Sequence, residues 1–172
     1  MAAPMKRNLL SFFKFIVFFV SSLIINNVIG ENSHHLHEYF LCRKCGREIV
    51  ELSNLKNVPS SVALRQRNET LGHKEEVLVQ LFKNPQNVFY EVITATQANV
   101  FRASQETGGD TWWPGFNWII LGCPQCRQHI GWEYIPQSKN TDEESFLGLV
   151  LGNLLYENEA DELIVLPKSY KS

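Results

Sequence analysis

The four cysteines of the chain form two Cys-x-x-Cys pairs, Cys42/Cys45 and Cys123/Cys126, and its four tryptophans all lie within residues 112–132. Two such pairs supply the four thiolate ligands that a Zn²⁺ ion takes in structural sites. Clustered aromatic rings can enclose a small apolar ligand. The sequence therefore predicts one metal-clipped domain with one aromatic site.

The cysteine pairs are open to three chemistries. Each pair is a short turn that can aim two thiolates at one ion, and Gly46 frees the backbone after the first pair. An even cysteine count in a secreted chain also suits disulfides, and one pair could be redox-active, although no convincing helix follows either of them. We favour Zn²⁺ in a structural role, because four thiolates leave no open coordination position.

Runs of β-branched and aromatic residues, bounded by Gly, Pro or polar residues, predict strands. The turn signal at 84–87 predicts a hairpin between the second and third of these runs. Helix signals are limited to a capping box at 141–144, and 163–166 could dock as an edge strand. The predicted strands are 46–52, 77–82, 88–94, 118–121, 130–135 and 147–155. The chain is expected to be mainly β.

The first 30 residues resemble a cleaved secretory signal. Lys6 and Arg7 precede an apolar run at 15–25, which is shorter than the roughly 20 residues of a spanning helix. A retained membrane anchor is the alternative. We expect a secreted, extracellular protein with one folded domain. The expected boundaries are 1–30 for the signal peptide, 31–38 for a flexible N-terminus with His34, His35 and His37, 39–156 for the domain and 157–172 for a C-terminal tail.

Charge and modification signals bear on the partners. The first 30 residues hold three of the 16 basic residues and none of the 18 acidic ones, which leaves 13 basic against 18 acidic residues. Nucleic acid is therefore not an expected partner, because its binding depends on basic side chains. Asn68-Glu69-Thr70 is a glycosylation sequon, typical of a surface loop in a secreted protein.

The aromatic cluster is the expected ligand-binding part. Pro114-Gly115 predicts a turn that lets Trp112 and Trp118 face one another across a small gap, and Trp132 on the following strand would form the base. The alternative is that these tryptophans are simply core residues. Four of them beside a metal knuckle favour a binding site.

In combination, several motifs make residues 39–155 similar to the thalidomide-binding, or CULT, domain family of cereblon. The resemblance implies a β-tent fold, with two antiparallel sheets at a steep angle and structural zinc at one end. It also implies a pocket walled by Trp112, Trp118 and Trp132, with Tyr134 at the rim and Asn84 on a loop that faces the pocket. The motifs are Phe40-x-Cys-x-x-Cys45, Asn84-Pro85, Trp112-Trp-Pro-Gly-Phe-Asn-Trp118, Cys123-x-x-Cys126, His129-Ile-Gly-Trp132 and Phe146-x-Gly-Leu149.

Such pockets bind cyclic imides, including glutarimides, uracil-like rings and the cyclised ends of proteins. By analogy, the Asp110 carbonyl accepts the imide proton and the Trp112 amide donates to one imide oxygen. Cereblon has a histidine where this chain has Asp110, and a carboxylate accepts but cannot donate. We therefore expect weaker imide binding, or a preference for ligands with an extra donor or a cation.

Three other functions were weighed. A protein-interaction module that captures modified or cyclised peptide ends is the main alternative. A methionine sulfoxide reductase of the B type shares paired zinc knuckles, but it needs a further reactive thiol and this chain has no fifth cysteine. We expect no enzyme activity. No segment suits a ubiquitin-ligase adaptor, so that partner is not expected, and we expect a monomer.

Overall fold

The protein is described here by a computed structural model that covers residues 38–140 and 142–157. This part of the chain forms ten strands and two single-turn 3₁₀ helices, Leu52–Asn54 and Leu151–Asn153. None of its helices has the length and hydropathy needed to cross a membrane. The strands are β1 (Tyr39–Cys42), β2 (Glu48–Glu51), β3 (Arg65–Leu71), β4 (Lys74–Lys83), β5 (Phe89–Ala95), β6 (Phe101–Arg102), β7 (Phe116–Gly122), β8 (His129–Pro136), β9 (Phe146–Val150) and β10 (Leu154–Tyr156).

The strands form two antiparallel sheets. One has three strands in the order β10-β1-β2, and the other has seven strands in the order β3-β4-β5-β9-β8-β7-β6. The prediction of a mainly β fold with two antiparallel sheets is therefore confirmed. In the larger sheet, β9 pairs with both β5 and β8, so a late strand is inserted between two earlier hairpins.

The predicted hairpin is β4–β5, and local hydrogen bonds explain its turn. The Asn84 amide donates to the Val88 carbonyl at 2.9 Å, and the Val88 amide donates to the Asn84 side-chain oxygen at 2.8 Å. Asn87 adopts a left-handed φ of 67°, which asparagine tolerates better than most residues. The turn therefore projects Asn84 and its neighbours beyond the end of the sheet.

Both faces of the larger sheet are covered. Val92 and Ile93 are neighbours in β5 and are both fully buried, yet they belong to different apolar clusters because successive side chains point to opposite faces. One cluster includes Phe40 and Ile49 of the smaller sheet. The other contains Phe82, Val92, Trp113, Phe116, Tyr134 and Phe146. Trp113 is thus a core residue, as the alternative interpretation held for individual tryptophans.

The predicted strand at 147–155 is wrong as a single element. It comprises β9 and β10 in different sheets, separated by the 3₁₀ turn Leu151–Asn153. Carbonyls of this turn accept hydrogen bonds from Arg43, since the Arg43 amide donates to Asn153 at 3.0 Å and its Nε donates to Gly152 at 3.0 Å. The turn is therefore tied to the first cysteine pair, and β10 pairs with β1.

The sequon lies in a strand and not in the expected surface loop. Asn68 is at the centre of β3, which among the described strands pairs with β4 alone and forms one edge of the larger sheet. Its side chain is exposed. Edge strands tolerate polar residues because one side faces solvent, and this explains why β3 escaped prediction. Glycosylation of Asn68 stays a prediction.

Several predictions lie outside the described residues. These are the signal peptide at 1–30, the terminal histidines His34, His35 and His37, the edge strand at 163–166 and the tail beyond Glu157. The capping box begins at Thr141, which is also outside, and residues 142–145 form no helix. The domain boundaries therefore stay predictions.

Candidate metal centre and aromatic pocket

The four cysteines converge on one point, with all four sulfur atoms within 4.8 Å of one another. The Sγ atoms of Cys42 and Cys126 are 3.6 Å apart, and those of Cys45 and Cys123 are also 3.6 Å apart. A tetrahedral site with Zn–S bonds of about 2.3 Å has sulfur atoms about 3.8 Å apart, whereas a disulfide bond is about 2.0 Å long. The cluster can therefore bind a metal ion, and all four thiols are free.

Both cysteine pairs use the same local geometry. In each, the second residue of the pair is followed by a left-handed residue, Gly46 with φ 74° and Arg127 with φ 64°. Backbone amides oppose the effect of burial at both sites: those of Lys44 and Cys45 favour the Cys42 thiolate, and those of Gln125 and Cys126 favour the Cys123 thiolate. Amides directed at sulfur stabilise the thiolate, which is the form that binds metal.

The thiol pKa values reflect this competition. Burial raises the pKa of Cys42 above its ordinary value, although the two amides oppose that effect. For Cys123 burial also raises the pKa, but the Cys126 and Gln125 amides help to lower it to about 7. Cys123 therefore loses its proton more readily than Cys42, and the thiolate is the form that binds metal.

The predicted ligand-binding residues lie together around a cavity of about 270 Å³. All six of them line it, and residues 85 and 86 complete the wall. The lining residues are Asn84, Pro85, Gln86, Asp110, Trp112, Trp118, Trp132 and Tyr134. Their convergence fits the predicted pocket, while their role in ligand binding stays a prediction.

One hairpin joins the metal cluster to this cavity. In β7–β8, Trp118 lies opposite Tyr134 and Ile120 lies opposite Trp132, so Trp118, Trp132 and Tyr134 project from one face. The turn of the same hairpin is the second cysteine pair, where the Cys123 amide donates to the Gln128 carbonyl at 2.8 Å. A metal ion would therefore fix the turn of the hairpin whose two strands carry these aromatic side chains.

The tryptophan rings support one another. Trp112 stacks on Phe82 with ring centroids 4.8 Å apart and 8° between the planes, and it meets Trp132 edge-to-face at 4.7 Å. Tyr90 packs edge-on against Trp132 at 5.5 Å. Trp118 is held differently, since its indole N–H donates to the Gly109 carbonyl at 2.6 Å. Two walls are thus fixed by ring packing and the third by a hydrogen bond.

Asp110 and Trp112 border the cavity and, in the part of the chain that the structure describes, have backbone groups without a hydrogen bond. Asp110 is exposed and has a left-handed φ of 50°, a conformation that aspartate adopts more readily than most residues. Within residues 38–140 and 142–157, neither the Asp110 carbonyl nor the Trp112 amide makes a hydrogen bond. An acceptor and a donor are therefore available beside the aromatic walls.

The chain is similar in sequence to several curated proteins. No protein-family model matches the chain. Among curated proteins, it is 27% identical to protein cereblon of Drosophila virilis over 135 residues, which cover 78% of this chain and 19% of the relative. It is 27% identical to protein cereblon of Drosophila willistoni over 110 residues, or 64% of this chain and 16% of the relative. Protein cereblon of Xenopus tropicalis is 30% identical over 69 residues, or 40% and 15%.

The chain carries a cereblon-like domain. The resemblance stated from the sequence motifs is therefore confirmed. The matched part spans less than a fifth of the length of these relatives, 19% at most. The cereblon-like domain, its cysteine cluster and its aromatic cluster together fit a metal-stabilised ligand-binding domain.

One site prediction is wrong in position. Tyr134 is only 1% exposed and lies at the floor of the cavity, not at its rim. Its ring stacks on Phe146 at 5.2 Å and packs against Trp113 at 4.5 Å. Burial also raises the pKa of the Tyr134 phenol far above its ordinary value, so the hydroxyl stays protonated. In this cereblon-like domain, Tyr134 is therefore a buried residue that packs beneath the tryptophan cavity.

A second, larger groove of about 540 Å³ is lined in part by Trp113. Its aromatic floor consists of Trp113, Phe116 and Phe146, which are 3%, 7% and 4% exposed. These rings are already covered by one another, so they offer a ligand little apolar surface. The smaller cavity, with its half-buried tryptophans, is the stronger candidate site.

Sequence reasoning missed the polar groups that support the pocket. Ser60 and Gln80 are buried, and the Ser60 hydroxyl donates to the carbonyl of Trp112. Gln80 interrupts the apolar run 77–82, and a polar residue inside an apolar strand was the available signal. Nothing in the sequence near Ser60 indicates its partner, which is 52 positions away.

Proposed function

We propose that this domain is a secreted, zinc-stabilised binding module, not an enzyme, whose tryptophan pocket encloses a cyclic imide or a uracil-like ring. The observation that carries the proposal is the free Asp110 carbonyl and Trp112 amide beside three tryptophans. The cavity of about 270 Å³ lies below the usual range for drug-sized ligands, about 300–1,000 Å³, and so suits a single small ring.

An imide has the chemistry that these groups can read. Its N–H lies between two carbonyl oxygens, so the ring needs both an acceptor and donors from the protein. The Asp110 carbonyl supplies the acceptor and the Trp112 amide supplies a donor. Trp112, Trp118 and Trp132 then bury the methylene edge of the ring. A ligand polar atom without a partner would cost about 1–3 kcal/mol, which gives the pocket its selectivity.

Asp110 adjusts that selectivity. Its carboxylate accepts hydrogen bonds but cannot donate one to the second imide oxygen. Imides should therefore bind more weakly here than to a pocket with a donor at this position, and ligands with an extra donor or a positive charge should be favoured. Asp110→Asn adds a donor with almost no change of shape, so it should tighten imide binding, as should Asp110→His.

Zinc is the proposed metal. Two of the sulfur separations are 3.6 Å and all lie within 4.8 Å, which is compatible with a tetrahedral four-thiolate site, and such sites favour Zn²⁺ or iron–sulfur centres. The four cysteines would hold the ion in a structural role, since no coordination position stays open. Two remote parts of the fold, β1–β2 and β7–β8, would be joined through it.

Capture of modified or cyclised peptide ends is the second candidate. It is favoured by the mouth of the cavity, where Pro85, Gln86 and Asp110 are exposed. A ligand whose ring is enclosed could therefore stay attached to a longer chain outside. We further propose a monomer with no nucleic acid and no ubiquitin-ligase adaptor as partner, and with Asn68 glycosylated, because that side chain is exposed.

A matched ligand pair tests the imide reading. Glutarimide should bind to the purified protein, whereas N-methylglutarimide should not, because methylation removes the N–H that the Asp110 carbonyl accepts. Isothermal titration of both compounds measures the difference. Equal affinities for the two compounds would overturn the proposal that the Asp110 carbonyl recognises the imide N–H. A peptide with a carboxy-terminal cyclic imide, titrated alongside, distinguishes the two candidate functions.

A further inference from the structure

Three buried polar residues form one hydrogen-bonded network next to the pocket. Within the described ranges, the buried polar or charged residues are Ser60, Gln80 and Thr94, with exposures of 5%, 0% and 2%. Burying a polar side chain is unfavourable unless it is hydrogen-bonded, and here every such atom has a partner. These three side chains therefore hold in place the groups to which they are hydrogen-bonded.

Gln80 and Thr94 fix the crossing segment, residues 56–60, against the larger sheet. The Thr94 hydroxyl accepts from the Val58 amide at 3.0 Å and donates to the Lys56 carbonyl. The Gln80 Nε2 donates to the Val58 carbonyl at 3.0 Å, and its Oε1 accepts from the Ser60 amide at 2.8 Å. Within the described residues the segment belongs to no strand, and these side chains add to its other attachments, such as the Lys56 amide, which donates to the Thr94 carbonyl at 3.0 Å.

The crossing segment in turn holds the tryptophan loop. The Ser60 hydroxyl donates to the Trp112 carbonyl, and the Val58 carbonyl accepts from the Trp113 indole N–H at 3.2 Å. The other end of the Trp112–Trp113 peptide is fixed as well, because the Trp113 amide donates to the Thr111 hydroxyl at 3.3 Å. Both polar groups of this peptide unit are thereby held, and it adjoins the free Trp112 amide.

We propose that Ser60 and Gln80 are positioning residues that set the orientation of the Trp112 backbone for ligand recognition. Neither residue lines the aromatic cavity, so neither touches the ligand. Gln80 acts through Ser60, and Ser60 acts through the Trp112 carbonyl. This inference rests on the proposed function, because it concerns the same pocket. It predicts that ligand affinity depends on a hydroxyl group outside the pocket.

The test compares Ser60→Ala with Ser60→Thr. Alanine removes the hydroxyl, whereas threonine keeps it, and Ser60 borders the neighbouring groove. Glutarimide affinity should fall about fivefold in Ser60→Ala, which corresponds to about 1 kcal/mol for one lost hydrogen bond, and should return to near the wild-type value in Ser60→Thr. Zinc content and the unfolding midpoint serve as controls for the fold.

A second readout needs no ligand. Trp112 and Trp132 meet edge-to-face at 4.7 Å, so their coupled transitions give a circular dichroism signal that depends on the orientation of Trp112. This signal should weaken in Ser60→Ala and persist in Ser60→Thr. Gln80→Leu should reproduce the Ser60→Ala effect, since it removes the group that holds the Ser60 amide.

The outcomes separate this inference from the proposed function. If wild-type protein binds glutarimide and Ser60→Ala binds it equally well, the positioning role is overturned and the proposed function stands. If wild-type protein binds no imide, the proposed function fails. The circular dichroism signal then decides the positioning role: a signal lost in Ser60→Ala and kept in Ser60→Thr supports it, and an unchanged signal refutes it.

Discussion

Removal of the metal should destabilise the fold and weaken the pocket together. The four cysteines join β1–β2 to the turn of β7–β8, and Cys45 and Cys123 are 78 positions apart in the sequence. A cross-link over a loop of that length stabilises a protein by about 4.5 kcal/mol through lost entropy of the unfolded chain. For a domain of this size, the unfolding midpoint should fall by about 15 °C when the ion is removed.

Ligand affinity should fall as well, at temperatures where the metal-free domain stays folded. Trp118, Trp132 and Tyr134 lie on the hairpin whose turn contains Cys123 and Cys126. Without the ion, that turn keeps only its own hydrogen bonds, so the hairpin should fray from the metal end. The three aromatic rings on its strands should then sample more orientations, which increases the entropy lost on ligand binding.

The assay follows thermal unfolding and glutarimide binding before and after treatment with a chelator, with metal content measured by mass spectrometry. Cys126→Ser is the matched control: it should lack bound metal from the start, and the chelator should not change its midpoint further. An unchanged unfolding midpoint in protein shown to have lost its metal would refute the stabilising role of the metal cross-link. Loss of stability with full retention of affinity would refute only the link to the pocket.

Three further predictions concern single positions. Arg127 has a left-handed φ of 64° and lies over the Phe101 ring at 4.3 Å. Arg127→Gly and Arg127→Ala both lose the ring contact, but only glycine relieves the backbone, so Arg127→Gly should be more stable in urea than Arg127→Ala by about 1 kcal/mol. Equal unfolding midpoints for the two variants would contradict this. A Cβ at Gly148 would lie 2.9 Å from the Tyr134 ring. Gly148→Ala should therefore lower stability by about 1–3 kcal/mol and weaken glutarimide binding. Stability and affinity equal to those of the wild type would count against the packing described. The hydrogen bond from Tyr156 lowers the pKa of Glu38 below its ordinary 4.5, partly opposed by burial and assisted by His73. The resulting stabilisation is present above pH 4.5 and is lost as the pH falls through the lowered pKa, so between about pH 5 and about pH 3 the stability of Glu38→Gln should fall less than that of the wild type. Parallel stability curves for the two proteins would argue against this.

The parts of the site that the sequence predicted well are those specified by neighbouring residues. The cysteine pairs carry their own turn geometry, and the Trp113–Phe116 turn follows from Pro114-Gly115, since the Phe116 amide donates to the Trp113 carbonyl at 3.0 Å. The β4–β5 hairpin is likewise specified by its Asn84–Asn87 turn. In each case the hydrogen-bonding partners lie within a few positions of each other.

The parts that it predicted poorly depend on distant residues. The depth of Tyr134 is set by Trp113 and Phe146, and no local pattern indicates that both rings cover it. The division of 147–155 depends on Arg43, whose hydrogen bond to Gly152 spans 109 positions. The polar strand β3 exists because β4 offers it an edge, which its own residues do not show.

Binding of an imide ring in the tryptophan pocket is tested by a fluorescence titration. Wild-type protein with its zinc content verified is titrated with glutarimide and with uridine, beside Trp118→Phe and Trp118→Ala. We expect saturable quenching in the wild type, affinity reduced about fivefold in Trp118→Phe, which loses the hydrogen bond to Gly109, and no measurable binding in Trp118→Ala. Flat titrations of the folded, metal-loaded wild-type protein with both ligands would contradict it.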